Sequence, residues 1–94
     1  MLIDAVTDEV TTATLGLGEA RAASRTASRG LIAAEEAYRV RREQRDLGRG
    51  TAVELVDSES DVLRARLELV HARVDARVAR AHLDHAVGGK SGAR

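Results

Sequence analysis

Five carboxylates in the second half of the sequence recur at spacings that place them on one side of a helix. They are Glu54, Asp57, Asp61, Glu68 and Asp75. Residues seven apart lie two helical turns apart on the same face. A row of carboxylates can line a pore, where several copies together would favour cations. The same row is typical of a solvated helix face, and Glu54 can instead serve a helix cap.

Three histidines, His71, His82 and His85, lie near Asp75 on this side. His82 and His85 are three residues apart, a spacing at which two imidazoles can share a metal ion. Surface histidines that titrate near neutral pH are the more ordinary interpretation, so we expect no metal site. The sequence brings no nucleophile, base and oxyanion donor together and has no cofactor-binding loop. It therefore predicts no enzyme, no catalytic residue and no cofactor.

The composition excludes several classes of protein. The 94 residues include no Cys, no Pro and one aromatic residue, so neither a disulfide framework nor an aromatic core is possible. The 15 basic and 15 acidic residues are interleaved and cancel, so we expect no nucleic-acid partner. The sequence has no apolar run of about 18 residues, which a transmembrane helix would need. The acids in MLIDAVTDEV are unlike the basic start of a signal peptide, so none is expected.

Two long helices joined by a tight turn account for the whole pattern. Apolar residues follow helical spacing over 2–46 and 52–87, and glycines occur at 47–51 and just after 87. We expect helices over the two apolar ranges, a turn at 47–51 and a disordered tail over 88–94. Since so few residues join the helices, they must run antiparallel. The predicted fold class is all-α, a long antiparallel two-helix coiled-coil hairpin.

The turn has its own sequence signals. Gly48 and Gly50 can take the left-handed conformation that ends a helix. Thr51 then starts the second helix, because its hydroxyl can accept the backbone N–H of Glu54 while the Glu54 side chain reaches back. This Thr-x-x-Glu pattern is a capping box, and it predicts a helix beginning at residue 52.

The second helix has two apolar seams separated by polar stripes. The first seam consists of Leu55, Val62, Ala65, Leu69, Ala72, Ala76, Ala79, Leu83 and Ala86. The second seam consists of Val53, Val56, Leu63, Leu67, Val70, Val74 and Ala81. One polar stripe is the row of carboxylates, and the other contains Glu59, Arg66, Arg73 and Arg80. A helix with one partner needs one seam, so two seams predict a helix held between two neighbours, with water on its remaining faces. A single layer of helices, closed into a tube or opened into a sheet, satisfies this pattern.

The first helix shows a similar but weaker arrangement. One side carries Ile3, Val10, Leu17, Leu31 and Tyr38 beside Val6, Ala13, Ala20, Ala27 and Ala34. The opposite side carries mostly small residues, namely Ala23, Gly30, Ala33, Ala37, Val40 and Leu47. Small residues would allow a neighbouring helix to approach closely.

Residues at and around the predicted turn share their spacing with a known family. They are the run Ala33–Tyr38, Gly48, Thr51, the run Glu54–Asp57, Leu63, Ala65, Leu67, Ala72, Arg73, Leu83, Ala86 and Gly88. With these residues, the segment 31–88 resembles the C-terminal repeat of TolC-type outer-membrane efflux proteins. Val74 and Ala76 depart from the pattern, because the family often has aromatic residues there.

The resemblance implies a homo-oligomer, a trimer whose helices build a periplasmic α-barrel for export of solutes. It implies a periplasmic adaptor and an inner-membrane pump as partners, and a location in the outer membrane and periplasm. The membrane would be reached only through strands that this segment does not contain. By the same resemblance, Glu54 and Asp57 line the entrance beside the turn, and Asp61, Glu68 and Asp75 line the lumen.

A soluble coiled-coil module without transport activity is the alternative. It would form a dimer or tetramer of hairpins in solution, with both polar stripes in bulk water. The missing signal peptide favours this alternative, whereas the resemblance favours the conduit.

Overall fold

The chain forms two α-helices in a computed structural model that describes residues 2–91, with the surroundings of side chains given for residues 5 and 7–88. The helices are α1 (Leu2–Asp46) and α2 (Ala52–Ser91). They contact each other, so the predicted all-α helical hairpin is confirmed. The side chains of Ile3 and Val6, which we assigned to a seam, lie outside the described residues.

The second helix ends later than the sequence predicts. We expected Gly88 and Gly89 to stop it at residue 87, but α2 continues to Ser91. A glycine inside a helix costs about 1 kcal/mol relative to alanine, but it does not prevent the helical conformation. The first four residues of the expected disordered tail are therefore helical, and residues 92–94 lie outside the described range.

The end of α1 is a hydrogen-bonded glycine cap. Gly48 has a φ of 75°, in the left-handed region, and its N–H donates to the Arg45 carbonyl at 2.9 Å. The Arg49 N–H donates to the Gln44 carbonyl at 2.7 Å. These two bonds form a Schellman motif, which satisfies carbonyls that the helix leaves without partners. Gly50, with a φ of 77°, completes the reversal.

The start of α2 is capped by Thr51, in part as the sequence predicts. The Glu54 N–H donates to Thr51 Oγ1 at 3.1 Å, which is the N-cap bond of a capping box. The return bond differs from the prediction, because the Glu54 carboxylate accepts from the Thr51 hydroxyl at 3.3 Å rather than from its backbone. Arg41 of α1 also pairs with this carboxylate and so competes for its orientation.

The contacts divide the chain into two units. The turn unit comprises Arg25–His71, and the terminal unit comprises Met1–Ser24 with Ala72–Arg94. In the turn unit, Glu35 pairs with Arg66 at 3.7 Å, Tyr38 donates to Glu59 at 3.3 Å, and Arg41 pairs with Glu54. Partner numbers fall on α2 as they rise on α1, so the helices are antiparallel in this unit. In the terminal unit, a groove lies between the helices and is lined by Thr12, Ala13, Gly16 and Ala20 of α1 and by Asp75, Val78, Ala79 and His82 of α2.

Candidate assembly surface

The first seam of α2 is the surface that contacts α1. Four of its members are buried, Val62, Leu69, Ala72 and Ala86, with 6–8% of their surface exposed. The other five, Leu55, Ala65, Ala76, Ala79 and Leu83, are half-buried. The contact therefore runs along the whole seam that the sequence singled out.

The matching side of α1 follows the same alternation of large and small residues. Ala13 and Leu17 are buried. Half-buried positions continue the pattern through Val10, Ala20, Ala27, Leu31, Ala34 and Tyr38. On both helices, larger residues alternate with alanines at spacings of three and four. Alanine at every second contact position lets two helix backbones approach closely.

Ser58 also belongs to this contact, although the sequence analysis left it out of the first seam. It lies three residues after Leu55 and four before Val62, and 8% of its surface is exposed. The spacing alone could have placed it there, but a hydroxyl does not stand out in an apolar pattern. Its side chain is small enough to occupy the position that alanine takes elsewhere in the seam.

The second seam of α2 is exposed throughout. The large members have more than half of their surface in solvent, from 52% for Val74 to 68% for Val53, with Val56, Leu63, Leu67 and Val70 between these values. Ala81 is exposed as well. The α1 helix therefore covers one of the two seams and leaves the other apolar stripe uncovered.

The side of α1 that carries small residues is also exposed. Ala23, Gly30, Ala33 and Ala37 are all open to solvent, and Leu47 is 71% exposed. A shallow groove along this helix in the turn unit is lined by Ala33, Ala37 and Val40 among others. This groove is open enough to receive the side chains of another helix.

The row of carboxylates is divided by its ion pairs. Glu54 is half-buried and pairs with Arg41, and Asp61 pairs with Arg64 at 3.1 Å. Asp57, Glu68 and Asp75 are exposed, and no ion pair of theirs occurs among the described residues. Row members near the turn therefore differ in how much negative charge they present to solvent.

Arg41 lies beside the first carboxylate of the row and was not predicted from the sequence. Its guanidinium comes from α1, thirteen residues before Glu54, so no spacing rule within one helix connects the two. Only the chain reversal brings them together. The pair neutralises the first carboxylate of the row within the hairpin itself.

On the opposite flank, a groove of about 440 Å³ lies between the helices of the turn unit. It is lined by Glu35, Tyr38, Glu59, Val62, Leu63 and Arg66. The charged and phenolic groups are used in the Glu35–Arg66 pair and the Tyr38–Glu59 hydrogen bond. This flank therefore fixes how the two helices align, because each of these bonds joins one helix to the other.

The described residues contain neither of two other kinds of site. Within the described residues, no three His, Asp or Glu side chains gather closely enough to hold a metal ion. Over the same part of the chain, neither helix contains a stretch long and apolar enough to cross a membrane.

Comparison with known proteins adds no relative. No protein-family model matches the chain, and no curated protein or solved structure matches it significantly.

Proposed function

We propose that the hairpin is a non-catalytic wall element of a TolC-type outer-membrane efflux conduit, in which several hairpins stand side by side. The observation that carries the proposal is the second seam of α2, which stays exposed while the first seam packs on α1. Contiguous apolar surface of this kind is typical of protein interfaces. In a wall, each hairpin would cover the second seam of its neighbour, while its polar stripes face water.

The lateral contact in such a wall would join unlike surfaces. The second seam is built from valines and leucines, whereas the exposed side of α1 is built mostly from alanine and glycine. Large side chains pack well into a surface of small ones, because the backbones can then come close. We therefore propose that α2 of one hairpin packs on the Ala33–Ala37 side of α1 in the next.

The carboxylates would then line the conduit, as the resemblance implies. Because Arg41 compensates Glu54, Asp57 would present the stronger negative charge at the entrance, with Glu68 and Asp75 deeper inside. Solutes would pass without chemistry, and the wall would select by charge and width. The partners proposed with this function are further copies of the chain, a periplasmic adaptor and an inner-membrane pump, and the trimer belongs to the full-length family.

The assembly is tested by sedimentation of the purified chain and of a Leu63→Gln/Leu67→Gln variant. Burying a leucine is worth about 1.5–3 kcal/mol, so losing two should weaken association by at least about tenfold. Leu15→Gln/Ile32→Gln is the matched control, because Leu15 and Ile32 are as exposed as Leu63 but lie on α1 outside both the small-residue side and the contact side. If both variants sediment like the unchanged chain, the second seam is not an interface.

The transport role needs a separate measurement. Cells carrying the chain and cells lacking it would be loaded with a fluorescent efflux substrate, and retention of the dye compared. The proposal expects greater retention in cells that lack the chain, and fractionation should recover the chain with the cell envelope. Equal retention together with recovery in the cytoplasm would contradict the conduit.

A soluble coiled-coil interaction module is the second candidate function. The Arg41–Glu54 pair favours it, since a carboxylate needed at a conduit entrance would be expected to stay free of a cation. This candidate predicts that hairpins stop at a dimer or tetramer. Mass from the same sedimentation experiment therefore separates the two functions, because a wall requires a ring-sized assembly.

A further inference from the structure

Four exposed arginines of the terminal unit are assigned to one flank by the seven-residue repeat of the helix contact. They are Arg21 of α1 and Arg73, Arg77 and Arg80 of α2, and all four are exposed. In the sequence they stand among acids and alanines, with more than fifty residues between the first and the others. Only the antiparallel pairing of the two helices can bring Arg21 beside the other three.

The position of Arg21 follows from the repeat of the helix contact. In the turn unit, Glu35 lies on the same flank as Glu59 and Arg66, because all three line one groove and Glu35 pairs with Arg66. Both helices repeat their contact positions every seven residues. Two repeats away, the corresponding residues are Arg21, Arg73 and Arg80. The terminal unit therefore has three arginines where the turn unit has two glutamates and one arginine.

The arginine flank has little compensating charge. Asp84 pairs with Arg80 at 3.3 Å, and this is the one carboxylate that the described residues provide to the group. Arg21, Arg73 and Arg77 have no ion-pair partner in the described part of the chain. Arg73 and Arg77 are one helical turn apart, so like charges face each other along α2 as well as across the two helices. Such a cluster favours an external anion of high charge.

We propose that this arginine flank binds an oligophosphate. Guanidinium groups bind phosphate oxygens through two parallel hydrogen bonds, and four of them within about two helical turns require several negative charges in a small volume. Linked phosphates supply this density of negative charge, whereas each carboxylate brings only one charge. The chain has no aromatic residue in the terminal unit on which a base could stack, so the phosphates themselves are the recognised groups. Binding of an oligophosphate does not require the proposed conduit function.

The experiment is calorimetric titration of the full chain with sodium tripolyphosphate, with sodium sulfate at equal ionic strength as the comparison. Tripolyphosphate should bind at least about tenfold more tightly than sulfate, because only the longer anion can reach several guanidiniums. Affinity should fall as salt rises, since the charges are exposed. Equal affinity for the two anions, or no heat with either, would overturn the proposal.

Paired variants locate the site. Arg21→Gln/Arg73→Gln should lose at least about tenfold in affinity for tripolyphosphate. Arg42→Gln/Arg45→Gln removes the same charge from exposed arginines of the turn unit and should lose little. Circular dichroism verifies that both variants stay helical. An equal loss in the two variants would mean that net charge alone is responsible, and would overturn the site.

A competition experiment identifies the source of the phosphates. A short DNA duplex is added to the chain loaded with tripolyphosphate. Displacement from the unchanged chain, together with direct binding of the duplex that Arg21→Gln/Arg73→Gln weakens, would assign the phosphates to a nucleic-acid backbone, which makes mainly phosphate contacts with such a surface. Without displacement, the ligand is a free oligophosphate.

Discussion

The turn unit and the terminal unit hold the same two helices together by different means. The turn unit joins them through polar groups, with Glu35–Arg66, Tyr38–Glu59 and Arg41–Glu54 crossing from one helix to the other. Of the six buried apolar side chains among the described residues, Val62 and Leu69 lie in the turn unit and four lie in the terminal unit, namely Ala13, Leu17, Ala72 and Ala86. Directional bonds fix alignment, whereas small apolar residues allow close contact. One seven-residue repeat can therefore serve either purpose.

Overpacking should harm the terminal unit most. Ala72→Leu/Ala79→Leu places larger side chains in a contact that alanine keeps close, and we expect a loss of about 1–3 kcal/mol in the free energy of unfolding. Ala65→Leu, at a half-buried position of the turn unit, should cost less. Urea unfolding followed by circular dichroism measures both. Ala81→Leu is the exposed control and should change stability by no more than about 0.5 kcal/mol. If Ala72→Leu/Ala79→Leu behaves like the control, close packing does not hold the terminal unit.

Replacing glycine by alanine should lower the stability of the protein in the turn unit and raise it in the terminal unit. Gly48→Ala and Gly50→Ala each force a side chain into a positive φ, which costs about 1–2 kcal/mol although the added Cβ meets no atom within 4 Å. Gly16→Ala and Gly18→Ala lie in helical backbone with equally open space, and each should stabilise by up to about 1 kcal/mol. Thermal unfolding of the four single variants tests the contrast. A stabilising Gly48→Ala would show that the turn does not need the left-handed conformation.

The Arg41–Glu54 pair should contribute modestly. Both side chains are nearly half-exposed, at 47% and 43%, so we expect a coupling of about 0.2–1 kcal/mol from a double-mutant cycle with Arg41→Gln and Glu54→Gln. The coupling should shrink in high salt because exposed charges are screened. If the stability changes of the two single variants simply add up in the double variant, the pair does not align the helices near the turn.

The smallest effect concerns pH. The Arg39 guanidinium, bonded to the Glu36 carboxylate at 2.7 and 3.0 Å, holds the pKa of Glu36 below its ordinary value of 4.5. A lowered pKa in the folded state adds stability above the unfolded pKa, and this is lost as the pH falls through the folded value. Both groups are exposed, so the change in stability should be slight. NMR titration of Glu36 should show the lowered pKa, and Arg39→Gln should restore it to the ordinary value.

Much of the hairpin follows from local rules. Gly48 marks the end of α1 and Thr51 the start of α2, since each satisfies backbone groups that a helix end leaves free. The first seam could be read from the recurrence of Leu55, Val62 and Leu69, because burial follows the same period. The end of α2 could not be predicted from the sequence, because a glycine weakens a helix by too little to decide where the helix stops.

The candidate site was less accessible to sequence reasoning. The row of carboxylates has a helical period and was visible, whereas Arg41, which neutralises Glu54, comes from the other helix. The arginine flank was hidden for the same reason. Arg21 and Arg73 come to the same flank only when the chain folds back. Runs of basic residues along the sequence therefore do not reveal this group.

By itself, the sequence determined two amphipathic helices, the place where the chain reverses and the two apolar seams of α2, because these depend on neighbours within a few residues. The tertiary structure decided which seam α1 covers, which carboxylate is compensated and which arginines share a flank. Those outcomes depend on the antiparallel alignment of the helices, which sets distances between residues far apart in the chain.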